Sequence, residues 1–240
     1  MADAHALRDT HPVHEELGGY EGAKLGMWLF LATELLLFGV LFAGFAIFHA
    51  EYVEPFKLAH HSLDKIMGGA NTIILILSSL TAVLALDSVQ RGKRKLANTF
   101  LALTIVFASG FLVVKYFEYS GKFQHNIFPG NAEQIVDPKS EDHHTYIKVS
   151  DYIAREGLTG DAALEVTEGV NLFFTYYFVM TAIHGLHVVI GMTIIGILLY
   201  KNMRGRYSHW YYTPIENGTL YWHLVDLIWI YLFPLFYLVR

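Results

Sequence analysis

The sequence predicts an all-α membrane protein, a bundle of five transmembrane helices with its amino terminus cytoplasmic and its carboxy terminus outside. Three observations carry this expectation. The 240 residues are 54% hydrophobic and only 16% charged, below the ~25% charge of an ordinary soluble domain. Five windows, at about 26–48, 67–86, 97–117, 170–200 and 219–239, each hold the ~20 mainly apolar residues that a ~30 Å hydrocarbon core demands. Basic residues gather in two connections, Gln90-Arg-Gly-Lys-Arg-Lys95 and Lys201-Asn-Met-Arg-Gly-Arg206, and Lys and Arg beside helix ends mark the cytoplasmic side.

Taken in order, residues 1–23 are expected to be a retained cytoplasmic tail. Met1 to Gly22 is polar, with acids and three histidines, and lacks the apolar core of a secretory signal. Residues 24–240 then form one membrane domain. The connection at 49–66 sets only Lys57 and Lys65 against three acids, which suits an outer loop. A polar stretch at about 118–169 separates the third and fourth spans and far exceeds the ~12–15 residues of ordinary loops. Between Ser120 and Gly169 it holds four basic and nine acidic residues, a balance of −5 that matches the formal charge of the whole chain. It reads either as a solvated loop or as a docking surface. Within it, Tyr146 to Arg155 alternates well enough for a short surface helix ended by Gly157. Gly39, Gly44, Gly185 and Gly191 sit where helices can approach closely, and Trp210-Tyr-Tyr212 and Tyr221-Trp222 fit anchoring at span ends.

The absence of cysteine excludes disulfides, thiolate nucleophiles, iron–sulfur ligation and sulfur-built zinc sites. No phosphate-cradling glycine loop, nucleophile elbow or repeated basic–aromatic surface for nucleic acid is present.

The informative residues are the polar ones inside apolar windows. Glu34 lies about 12 Å along the first helix from Gly26, at ~1.5 Å per residue, and a carboxyl group in hydrocarbon is costly enough to suggest a role. That role is either proton exchange, lipid contact or carboxyl reactivity, or else a hydrogen bond to a neighbouring helix. His184 and His187 lie three apart on the fourth helix, and His223 and Asp226 three apart on the fifth, so each pair shares a face. Converging faces would suit a metal or haem; hydrogen-bonding glue between helices is the plainer reading. Asn71 can bond across a helix interface. Lys115 and Glu118, at the outer end of the third helix, suit an ion pair or a lysine reaching lipid phosphate.

Together these residues resemble subunit III of the haem–copper terminal oxidases, the cytochrome c and quinol oxidase family. The carriers are Gly26-Met-Trp-Leu-Phe-Leu-Ala-Thr-Glu34, Asn71-Thr72, Tyr116-Phe-Glu118-Tyr119, Glu168-Gly-Val, Phe178-Val-Met-Thr-Ala-Ile-His-Gly-Leu-His-Val-Val-Ile-Gly191 and Tyr221-Trp-His-Leu-Val-Asp-Leu-Ile-Trp229. The likeness runs from Leu25 to Leu238 outside the long loop. It implies an accessory subunit of a bacterial inner-membrane oxidase that reduces oxygen to water and translocates protons. Such a subunit has no catalytic residue, metal or redox cofactor of its own. Haem and copper would lie in catalytic subunit I, with subunit II as a further partner. Bound phospholipid and support of proton uptake are implied as well, and Glu34 matches the family position known for carboxyl-directed modification near the catalytic subunit.

The chain departs from the longer, seven-helix relatives by lacking their first two helices, which wall the family's lipid cleft, and by carrying the acidic insertion. That insertion is a candidate dock for another respiratory complex or a cytochrome carrier. A quinol oxidase or nitric oxide reductase partner is the alternative within the family. A stand-alone transporter or proton channel, relaying through Glu34, His184, His187 and Asp226, is the alternative outside it.

Overall fold

The computed structural model describes residues 13–140, 145–208 and 210–238. Among them are seven helices: α1 (Val13–Glu51), α2 (Val53–His60), α3 (Lys65–Gln90), α4 (Arg94–Gln124), α5 (Val149–Arg155), α6 (Asp161–Met203) and α7 (Thr213–Tyr237). Five of them, all but α2 and α5, are long and apolar enough to cross a membrane. The helices outrun the apolar windows because polar turns continue them past the hydrocarbon. At ~1.5 Å per residue the 43 residues of α6 reach roughly 64 Å.

Two expected boundaries move. Residues 13–23, expected as tail, already belong to α1, while residues 1–12 lie outside the described residues. The stretch expected as a loop over 118–169 begins only after Gln124 and ends before Asp161.

Local chemistry sets the ends. Asp64 caps α3, its carboxylate accepting from the backbone N–H of Ile66 at 2.8 Å and of Met67 at 3.2 Å. A proline in the first turn of α7 supplies helix-ready backbone without wasting a donor. In the bundle, α3 packs most extensively on α4, and α7 lies between α3 and α6. The core is aromatic: Trp222, Trp229, Tyr177, Tyr237, Phe38, Phe45 and Phe111 are all buried. Helix α1 rests on the margin against α6 and α7 and exposes Leu25, Leu29, Leu36 and Val40.

Between α4 and α6 the chain builds a lobe. Strands β1 (Ile127–Phe128) and β2 (Asn131–Ala132) form a hairpin across Pro129 and Gly130, whose φ of +79° suits glycine. Strands β3 (Gln134–Val136) and β4 (Tyr146–Lys148) pair antiparallel with Ile135 opposite Ile147. The segment expected as one surface helix is therefore strand over 146–148 and helix over 149–155, stopping ahead of Gly157 at φ +67°. The lobe is fastened to the bundle. The Asn171 side-chain oxygen accepts from the Ala132 N–H at 2.7 Å, and the Ser62 hydroxyl accepts from the Val136 N–H at 2.9 Å. Across its face Arg155 grips Asp137 with two hydrogen bonds of 2.7 and 2.9 Å.

Close packing leaves several glycines no room for a side chain, Gly191 among them. A Cβ on Gly191 would stand 2.7 Å from the buried Trp222 ring, whereas one on Gly39 would meet nothing within 4 Å. Gly191→Val is expected to destabilise the bundle by about 1–3 kcal/mol and Gly39→Val to leave it nearly unchanged, as thermal unfolding in micelles would register. In the lobe, the Arg155 hydrogen bonds, helped by the Lys139 N–H, hold the Asp137 carboxyl down at about 2. A depressed carboxyl stabilises the fold above its unfolded value near ~3.9, and that contribution fades as pH falls towards the folded value. Protection of the 145–157 amides should accordingly drop between pH 4 and 2, and Asp137→Asn should flatten the drop; an unaltered profile in that variant would refute the assignment.

Candidate functional site

The polar residues inside the spans fall into three places. The largest lies where α4, α6 and α7 meet beneath the lobe. Lys115, Glu118 and Lys122 repeat at three and four residues, so they share one face of α4, and that face is buried, with exposures of 7%, 6% and 4%. The Lys115 ammonium donates to Glu118 Oε2 at 2.9 Å, to the Tyr177 hydroxyl at 3.2 Å and to the Tyr237 hydroxyl at 3.1 Å. Its three donors thus have three partners. Both tyrosine hydroxyls in turn donate to Glu118 Oε1, at 2.6 and 2.5 Å. The Trp229 ring lies 4.9 Å from the ammonium, close enough for a cation–π attraction. Lys122 donates to the Ser62 carbonyl at 3.0 Å.

Of the two readings that the Lys115–Glu118 spacing admits, the ion pair is the geometry observed, and Lys115 points inward rather than towards headgroups. Beside it a groove of about 280 Å³ runs between α4 and α6, walled by Phe111, Leu112, Tyr116, Leu186 and Val189.

The second place is Glu34. Its Oε2 lies 2.7 Å from His187 Nε2, and His187 Nδ1 lies 2.8 Å from the Ile183 carbonyl. A carbonyl oxygen can only accept, so Nδ1 carries a hydrogen. One further proton then sits between Nε2 and the carboxyl group, whether as imidazolium with carboxylate or as imidazole with carboxylic acid. Either way the pair is neutral, which relieves the cost of a charge in hydrocarbon. Phe38 packs edge-on to the imidazole at 5.4 Å between ring centres, and the Tyr221 hydroxyl donates to the His187 carbonyl at 3.2 Å. The pair stays partly open, with side-chain exposures of 16% for Glu34 and 12% for His187.

The third place is the contact of α3 with α7. His223 Nδ1 is 2.6 Å from the Ser79 hydroxyl. Asp226, one turn on, is 3% exposed, and the hydroxyl beside it is already engaged by His223. His184 and Asn71 are fully buried, and their side-chain nitrogens and oxygen make no hydrogen bond among the described residues. His184 is packed instead between Phe111 and Trp229, with ring centres at 5.4 and 5.2 Å. The faces considered for a metal or a relay do not converge: Glu34 and His187 meet across α1 and α6, whereas His223 and Asp226 turn towards Ser79 on α3. Among the described residues no three His, Asp or Glu side chains are grouped as metal ligands would be.

Sequence reasoning missed Lys122, Tyr177, Tyr237 and Ser79. The repeat at 115, 118 and 122 was available as a helical face, but only by extending the third helix into a stretch that reads as loop. The two tyrosines look like ordinary span aromatics.

The cluster makes a sharp stability test. Glu118→Gln would leave Lys115 without its counter-charge in a buried place, at a cost of about 3–5 kcal/mol. The paired change Lys115→Met with Glu118→Leu should cost less than either alone, and equal or greater loss in the pair, by unfolding in micelles, would contradict a coupled pair.

Comparison with known proteins gives the chain relatives. The family model for cytochrome c oxidase subunit III matches residues 146–239. A quinol oxidase subunit 3 from Bacillus spizizenii is 30% identical, covering 90% of this chain and 86% of its own length. A cytochrome c oxidase subunit 3 from Synechocystis is 26% identical over 99% of this chain and 84% of its own. A heme-copper oxidase subunit I+III from Aeropyrum pernix is 28% identical over 94% of this chain and 24% of its own.

Proposed function

Because the chain belongs to the subunit III family of the haem–copper terminal oxidases, and is a non-catalytic, multi-pass membrane subunit of such a complex, we propose that it steadies subunit I and supports proton uptake there through the Glu34–His187 pair. The observation that carries this reading is the 2.7 Å contact between the Glu34 carboxyl group and the His187 imidazole, at the edge of the helix with the barest outer face. Leu35, Leu36 and Val40, next to Glu34, are exposed, as a surface awaiting a partner would be. The relative with subunits I and III in one chain supports subunit I as that partner. Subunit II is the further partner implied by family membership.

The proposed setting is a bacterial inner membrane, with the amino terminus and the two basic connections cytoplasmic and the lobe outside. Residues 24–240 act as one domain. The groove between α4 and α6 suits a phospholipid acyl chain. Haem and copper belong to subunit I in this reading. The complex reduces oxygen with electrons from a cytochrome c, and the acidic lobe offers such a basic carrier, or a neighbouring respiratory complex, an attractive surface. A quinol donor is the second reading, favoured by the 30% identical quinol oxidase relative.

Glu34→Gln should leave haem spectra and initial rates unchanged while sustained turnover declines earlier or bound lipid is lost; full sustained turnover with normal lipid content would dismiss the role. Mild-detergent isolation of the complex, with partner identification and oxygen uptake on cytochrome c or quinol, decides the donor in the same preparation. A chain that emerges without a haem-bearing partner would count against the assembly reading.

A further inference from the structure

We propose that a small pocket around His60, at the lobe end of the bundle, is a proton-binding site that loosens α2 from the spans when the medium on that side turns acid. Helix α2 is the short segment between α1 and α3, and Pro55, Phe56, Leu58, Ala59 and His60 on it are all buried. Phe56 packs on Phe45 of α1 and Phe173 of α6, with ring centres at 5.3 and 5.4 Å. His60 supplies the polar fastening. Its Nδ1 lies 2.7 Å from the Phe236 carbonyl oxygen in the last turn of α7, one of the carbonyls that a helix end leaves without an intrahelical partner. A carbonyl can only accept, so Nδ1 carries a hydrogen and the neutral ring presents a lone pair at Nε2.

That second nitrogen is where a proton can go. It is buried and makes no hydrogen bond among the described residues. His60 is only 6% exposed, yet its ring borders a pocket lined also by Phe45, His49, Phe56, Lys57, Phe173 and Leu235, with about 10 Å³ open to the centre of a water molecule. One water needs roughly 10–15 Å³ of such space. His49 and Lys57 are only partly buried and form the polar rim. A single water in this pocket joins Nε2 to the medium.

The surroundings oppose a charged ring. Helix α1 contributes His49; α2 contributes Lys57, which pairs with Glu54 at 2.9 Å; His61 follows α2 and Lys65 opens α3. From α6 and α7 come Phe173 and Leu235, and no residue lining the pocket carries a carboxylate. Burial holds His60 below the usual histidine range, with the Phe236 bond working against it and Lys65 and His61 adding to it. Released from the bundle, the ring regains a value near ~6.5. Above that value both forms are neutral and the fastening is at full strength. As pH falls below it, the released form takes up a proton that the closed form refuses, so closure weakens by at most ~10-fold per pH unit.

A cap by itself needs only a donor, which an amide side chain would supply. Imidazole brings in addition the side chain whose charge changes between about pH 5 and 8. The effect carries outward, because Ser62, two residues on, accepts from Lys122 through its carbonyl and from the lobe's Val136 N–H through its hydroxyl. Loosening α2 therefore slackens the anchorage of the lobe. Of the reading above, this takes only that the lobe end is the outer one, where translocated protons emerge.

The test follows hydrogen–deuterium exchange of the purified complex containing the full chain, in mild detergent, between about pH 8 and 5, with rates corrected for the intrinsic pH dependence of exchange. Protection of amides 53–64 should be level above ~6.5 and fall below it, by up to ~10-fold per unit, while that of amides 70–85 in α3 stays constant. His60→Gln keeps a donor for the Phe236 carbonyl and should hold protection level across the range. His49→Gln with His61→Gln should retain the fall. A wild type without the fall, a fall undiminished in His60→Gln, or a fall abolished by the double variant would each overturn the proposal. Should His60→Gln not assemble, the wild type and the double variant decide. Oxygen uptake and retention of subunit I, recorded on the same preparations, report on the oxidase reading separately.

Discussion

The buried ion pair of Lys115 and Glu118 is the constraint on which most of this architecture depends. Hydrocarbon supplies no water to satisfy an ammonium or a carboxylate, so every donor and acceptor must find its partner in protein. Here the partners come from three helices, with Tyr177 on α6 and Tyr237 on α7 closing around a pair carried by α4. A shift of one helix by a turn would strand the charge, which pins the register of all three. Lys122 carries the constraint outward, because its bond to the Ser62 carbonyl positions a residue whose hydroxyl receives the lobe's Val136 N–H. The lobe is thereby tied to the same charge cluster that registers the spans.

Glu34 meets the same requirement by the opposite means. No lysine or arginine is locked around it among the described residues, and a single histidine bonds it on the margin of the bundle. A neutral pair is cheap to keep in the membrane, and this one stays partly open. The two sites thus meet the cost of charge in hydrocarbon in two ways: one seals an ion pair inside the bundle, the other joins a carboxyl group and an imidazole at its margin. Both are built on helix faces, where packing limits how far a side chain can stray.

How much was legible follows from the range of each interaction. The five spans were readable because burial in lipid is a property of composition over twenty residues, and Glu34 stood out because one carboxyl group in such a run is conspicuous. The lobe's helix α5 showed in periodicity, but strands of two or three residues are too short for alternation to register. Lys122 was hidden by the polar residues around it, which make a buried helical turn look like the start of a loop. His184 and Asn71 illustrate the converse: both are conspicuous in the sequence, yet the fold packs them away without joining them to Glu34.

By itself, then, the sequence determined that the chain is a five-span bundle of this family, which residues are anomalous in hydrocarbon, and that two connections are basic and one long insertion acidic. Those are local sums over neighbouring residues. Only the tertiary structure decided that Lys115 is sealed inside with two tyrosines, that Glu34 meets His187 rather than His184 or Asp226, and that the two basic connections come together. Each of those outcomes turns on which faces of distant helices meet, and hydropathy along a single chain carries no record of that choice.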